Sequence, residues 1–273
     1  AMQKNSNGTL QLVGTTFNKK NTAALLTNSA LDLDITNTDN TLGRIVGRTV
    51  NLDGQSLTNN GGLVQGTSVN IDLTGDLHNT AATAVTGSGA TTSVAGVVVA
   101  TPTPTSNTLA TSLILDIDGL INNAAGQLLT TDALAITAGS LTNTQGFILN
   151  QGTTSRSSTW RIAATGNVLN AGGYIQKTNA GNLQIDAPSL SNNGAGTVAS
   201  RDTLDLNVGQ IDNTLGALAG TIVDIDGHNL TNSGGVLQGN RVDITLSSGL
   251  TNTQATGKNA AGATGTFAGI ISA

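Results

Sequence analysis

The chain has 273 residues, 10% of them charged, and a formal net charge of -5. Aromatic residues make up 2% of it, cysteine is absent, and every acidic residue is Asp. A ring-filled globular core, disulfides and thiolate metal sites are therefore excluded, and neither nucleic acid nor an anionic membrane surface finds the clustered Lys and Arg it would need.

Gly, Asn, Thr, Ala, Leu, Val and Ile supply most of the chain. Without Glu and with sparse Lys, the usual formers of solvent-facing helix are missing, and almost no helix is expected. The longest apolar run, Val94 to Ala100, falls far short of the roughly 20 residues that span a bilayer, so no membrane insertion is expected. No basic segment followed by an apolar stretch opens the sequence, so a piece taken after a signal peptide, or from within a longer protein, is expected.

In chain order, a strand-like run at Leu10 to Phe17 leads into Leu31-Asp32-Leu33-Asp34-Ile35, which alternates apolar and polar residues. The unit LTNNGGLVQGTSVNIDLTG follows from Leu57, then LTNTQGFILN from Leu141, LSNNGAGTVASRDTLDLNVG from Leu190 and LTNSGGVLQGNRVDITLSSG from Leu230. Each reads as an apolar residue, any residue, Asn, a Gly-containing turn and a short alternating strand. The motif Asn falls at Asn37, Asn59, Asn79, Asn122, Asn143, Asn170, Asn192, Asn213, Asn232 and Asn252, mostly about 20 residues apart.

Such a period, with Gly at the corners, matches one coil of a parallel β-helix, in which each strand pairs with its counterpart about 4.8 Å away in the next coil. The recurring Asn is expected to stack as an internal amide ladder. One coil cannot bury enough surface to fold alone, so stability must come from its neighbours.

Three segments interrupt the repeat: residues 80–108, 151–161 and 253–273. The first and last both follow an Asn-Thr pair, so both are expected to leave the coil at the same corner as protruding loops or hairpins, where recognition usually sits. The plainer alternative is a tolerated surface insertion. The second holds the chain's single Trp, and Trp160 with Arg156 and Arg161 forms a candidate contact for carbohydrate or protein. Alternatively the Trp covers apolar surface where the coil widens.

The Asp pairs Asp32/Asp34, Asp116/Asp118 and Asp224/Asp226 sit at strand spacing, which puts each pair on one face. They are candidates for cation binding or acid-base work, although alternation with Leu and Ile already calls for polar residues there. His78 and His228, the two histidines, lack a His-x-x-x-His spacing for zinc. Gly61-Gly62 and Gly234-Gly235 read as coil corners rather than phosphate cradles. No catalytic, cofactor or metal residues are assigned, and an enzyme is not expected.

The Asn-Gly-Gly coils LTNNGGLVQG, VLNAGGYIQ and LTNSGGVLQG closely resemble the repeats of filamentous haemagglutinin-like proteins. The resemblance implies a right-handed parallel β-helix, here a single rod over residues 1–273 carrying the three insertions. It also implies export through an outer-membrane barrel by two-partner secretion, and a place at the surface of a Gram-negative bacterium or in its surroundings. Cell adhesion through a protein or glycan of a host or neighbouring cell is the function expected from it. The stalk of a contact-dependent growth-inhibition protein is the alternative, and a β-helical polysaccharide-cleaving enzyme the remote one.

Overall fold

A computed structural model describes residues 2–4, 8–18, 23–85, 90–101, 111–150 and 158–272. The described residues form strands, turns and bends with no helix, and parallel strands stack as a β-solenoid of about 10 turns, repeating about every 21 residues. Contacts divide the chain into two compact units, Ala1–Gly139 and Ser140–Ala273.

In the first unit each coil supplies a short strand to one sheet and a longer strand to another. Short strands Ala24–Thr27, Arg44–Val46, Leu63–Gly66, Val97–Ala100 and Gln127–Thr130 pair in parallel. Long strands Leu10–Asn18, Ala30–Asp39, Thr49–Gly54, Ser68–Leu73 and Ser112–Asn122 do the same. Register places Leu33, Leu52, Ile71 and Leu115 in one column, all but fully buried. Alternate residues therefore fill the interior, and each such side chain contributes roughly 1.5 to 3 kcal/mol through removal from water.

The second unit repeats the plan. Phe147–Asn150, Tyr174–Lys177, Thr197–Ser200, Ala217–Ala219, Val236–Gln238 and Ile270–Ser272 form one parallel stack. Trp160–Ala164, Leu183–Ser191, Thr203–Asp212, Ile222–Thr231 and Arg241–Thr251 form the other. Ile162, Ile185, Leu206 and Ile225 make the equivalent buried column.

The corners are set by the repeated Asn. In the first unit Asn40 Nδ2 donates to Asn59 Oδ1 at 2.7 Å, Asn59 to Asn79 at 2.8 Å and Asn79 to Asn123 at 2.7 Å. In the second, Asn143, Asn170, Asn192, Asn213, Asn232 and Asn252 continue the pattern at 2.7 to 2.9 Å. Each amide from Asn40 to Asn232 also donates to a backbone carbonyl of its own or the next coil, as Asn59 does to Gly62 O and Val97 O. Every rung but Asn252 is fully buried, and the bonds offset the desolvation of its amide, although Asn40 Oδ1 at the first rung is buried with no hydrogen-bond partner among the described residues.

Two rungs differ from the sequence-based expectation. Asn40, not Asn37, is the first: Asn37 is exposed and accepts from Ser56 Oγ. Asn123, not Asn122, is the fourth, while Asn122 accepts from the backbone N–H of Ala124. At corners made by a tight turn, the rung is the Asn whose carbonyl closes the turn onto a Gly, as Asn40 O does with Gly43 N and Asn123 O with Gly126 N. A Cβ at Gly62 or Gly235 would run into the carbonyl oxygen of the Asn one coil back and the Oδ1 of its own coil's rung. Glycine there is a condition of the ladder.

Candidate recognition hairpins

Two antiparallel hairpins leave the solenoid. In the first unit Ala82–Val85 pairs with Thr91–Val94, and in the second Ala255–Lys258 pairs with Thr264–Phe267. Both begin three residues after a ladder Asn, Asn79 in the first and Asn252 in the second. In an ordinary corner the residue two after that Asn often has positive φ, as Leu42 (56°), Gly61 (63°), Leu215 (61°) and Gly234 (63°) do. In the third coil of each set that position is replaced by the hairpin. The corner still closes, with Gly96 N donating to Thr80 O at 2.8 Å and Gly269 N to Thr253 O at 2.9 Å.

The hairpins belong to one duplicated module. Asn40, Leu42, Asn59, Gly61, Asn79, Ala82, Val94 and Gly96 have counterparts at Asn213, Leu215, Asn232, Gly234, Asn252, Ala255, Phe267 and Gly269, every pair separated by the same number of residues. Their packing is equivalent as well. A Cβ on Gly61 would meet Leu42 Cδ2, Ala82 Cβ and Val94 O, and one on Gly234 would meet Leu215 Cδ2, Ala255 Cβ and Phe267 O. Each hairpin thus rests on a glycine one coil back and a leucine two coils back. It is a seated element, and its outward face carries hydroxyls: Thr83 opposite Ser93, and Thr256 bonded to Thr266 at 2.8 Å.

The interrupting segments are therefore smaller than their sequence suggests. Val97–Ala100, inside 80–108, is a solenoid strand whose Val98 and Ala100 are fully buried. Ile270–Ser272, inside 253–273, pairs with Val236–Gln238. Residues 86–89 and 102–108 of the first segment lie outside the described residues.

Trp160 is fully buried, which removes it as an exposed contact. It opens the solenoid strand Trp160–Ala164, where alternation sends Trp160 inward and Arg161 outward, so the two cannot share a binding face. Lys177, also buried, lies with its Nζ 5.9 Å from the Trp160 ring centroid and donates to Ala180 O at 2.7 Å and Asn179 O at 3.3 Å. Neither residue type announced that inward placement. Arg161 bonds Asp186 at 2.8 Å on the surface. Arg156 lies outside the described residues.

The Asp residues form columns across coils more than pairs along strands. Asp34, Asp53, Asp72 and Asp116 stand in register in the first unit, and Asp205, Asp224 and Asp243 in the second. Partial burial, then the charges of Asp72, Asp34 and Asp32, push the Asp53 carboxyl above its ordinary pKa. Asp205 is raised likewise, by burial first and then by Asp224, Asp186 and Asp226, against a lowering bond from Asn207. Asp32 instead accepts from Asn51 Nδ2 at 2.7 Å.

Among the described residues no group of three or more acidic or His side chains is placed to hold a metal ion. His228 Nδ1 lies 2.8 Å from Ser247 Oγ, and His78 Nε2 lies 4.0 Å from Asp76. A trough in the second unit, lined by Ser189, Ser191, Gln210, Asp212, Asn229 and Thr231 among others, has Asp212 as the one charged residue in its lining. Set against protein-family models, curated proteins and solved structures, the chain matches none.

Proposed function

We propose that this chain is a rod segment of a large exported bacterial exoprotein of the filamentous haemagglutinin-like kind, and that it serves cell adhesion. The observation that carries the reading is the duplicated module: each unit holds out a hairpin from an equivalent corner, on an equivalent leucine and glycine. An insertion that was merely tolerated would not need an equivalent seat in both copies.

The partner in this reading is a surface protein or glycan of a host or neighbouring cell, met by the neutral, hydroxyl-bearing faces of the hairpins. The solenoid itself is scaffold, and catalysis has no part in the proposal: the trough of the second unit has one carboxylate in its lining and no basic residue to neutralise an anionic sugar. Cysteine-free coils that each depend on their neighbour suit a chain that crosses an outer-membrane barrel unfolded and assembles coil by coil outside, at the cell surface or beyond it.

A second reading, the inert stalk of a contact-dependent toxin-delivery protein, draws support from the coils whose corners are closed by short turns with no projection.

The test is binding of three proteins to eukaryotic cells, bacterial cells and glycan arrays: the parent, a form with residues 81–95 replaced by one Gly, and a form with 254–268 so replaced. Binding by the parent that falls in either shortened form supports adhesion through the hairpins. Binding that survives both deletions, or is absent throughout, favours the stalk.

A further inference from the structure

The two hairpins are equivalent in position, length and seat, yet differ where it matters for pairing with another strand. Position for position, Val85 in the first corresponds to Lys258 in the second, each opposite a Thr (Thr91 and Thr264) across its hairpin. Val85 is 72% exposed, the most exposed large hydrophobic side chain among the described residues. Residues 80–101 contain no charged side chain, and the described strands of this hairpin, Ala-Thr-Ala-Val and Thr-Thr-Ser-Val, consist of small and β-branched residues without proline.

Each hairpin is a two-stranded sheet whose strands pair with no third strand among the described residues. Exposed edges of this composition recruit further strands, and proteins ordinarily block them with Lys, proline or a bulge. The second hairpin carries such a block in Lys258. The first does not.

We infer that the hairpin formed by Ala82–Val85 and Thr91–Val94 is a homotypic docking edge, which pairs with the same hairpin of a second copy of this chain to make a two-fold, four-stranded ribbon. Several features favour a second copy over another partner. The edge is self-complementary in charge because it has none, whereas the chain as a whole carries -5. Two acidic chains therefore approach most easily at this neutral hairpin. Backbone pairing then needs no complementary side chains, and an isologous contact closes at two copies rather than growing without end. Lys258 keeps the other hairpin out of the same reaction. The inference goes beyond the adhesive reading and does not rest on it.

Sedimentation velocity of the full chain over a range of concentrations tests it, with Val85→Lys and Lys258→Val alongside and circular dichroism confirming the fold of each. The parent should form a concentration-dependent dimer, Val85→Lys should weaken it at least tenfold, and Lys258→Val should yield species larger than a dimer. A parent that stays monomeric at every concentration, or a dimer that Val85→Lys leaves unchanged, overturns the proposal. A separate readout uses the absence of native cysteine. Under oxidation Thr83→Cys should give covalent dimers and Thr256→Cys should not, and equal yields from both would also overturn it.

Discussion

Asn213 donates its side-chain Nδ2 to Asn232 Oδ1 at 2.7 Å, and both side chains are fully buried. The same amide reaches Val236 O at 3.2 Å, and Asn213 Oδ1 accepts from Asn192 Nδ2 at 2.8 Å. Asn213→Ala orphans groups in the coils on either side of it. It should cost about 2 to 4 kcal/mol in urea unfolding. Asn252→Ala, at an exposed rung, should cost about 1 kcal/mol or less. Equal losses at the two positions would mean that the ladder is not what holds the corners.

Two glycines separate steric from conformational demand. Gly235→Ala forces a Cβ onto Asn213 O and Asn232 Oδ1 and should cost about 3 kcal/mol or more. Gly194 has a φ of 56° but nothing within 4 Å of a built Cβ, so Gly194→Ala should cost only about 1 to 2 kcal/mol, the strain of the left-handed conformation. Thermal or urea unfolding of both variants ranks them.

The Asp53 carboxyl binds its proton more tightly in the folded chain than in the unfolded one, because partial burial and then Asp72, Asp34 and Asp32 oppose its charge. Its ionisation therefore costs stability above the folded pKa, and the cost vanishes below the unfolded value of about 3.9. Asp53→Asn should accordingly stabilise the chain at pH 7, by under about 1 kcal/mol for so accessible a group. The advantage should shrink as pH falls through the folded pKa and should also shrink in high salt. Melting curves of parent and variant at several pH values check this. An advantage that grows toward acid would contradict the column's geometry.

Trp160 is the chain's single tryptophan and is fully buried beside Lys177. Its emission should be blue-shifted and protected from acrylamide until the second unit unfolds. Adding a bound cell-surface partner should leave both properties unchanged. Ready quenching in the native protein would return Trp160 to the surface and restore it as a contact.

The coil was legible because its signals agree: alternation in Leu31 to Ile35 and Val69 to Leu73, and an Asn followed by a tight Gly-containing turn. The misreadings arise where one signal is split or doubled. Asn122 and Asn123 are adjacent, and only the spacing to Gly126 says which turns inward. Val97–Ala100 lacks an Asn just before it, since the hairpin separates Asn79-Thr80 from Gly96, so a buried strand read as insertion. Trp160 beside Arg161 suggested an exposed patch, but strand alternation sends the two to opposite faces. The Asp columns went unseen because they depend on register between coils, which pattern within one strand does not reveal.

The corner closed by Thr80 O and Gly96 N has a consequence for how such a chain can change. The solenoid's continuity across that opening is carried by the ladder Asn79 and by the hydrogen bond from Gly96 N to Thr80 O. The hairpin strands between Thr80 and Gly96 form no rung of the ladder. The turn is thus an open port, into which a ribbon whose two ends meet side by side can be grafted wherever the coil below offers a glycine to seat it. Specificity can then drift at the tip while the scaffold stays fixed, and Val85 against Lys258 is one step of that divergence held within a single molecule.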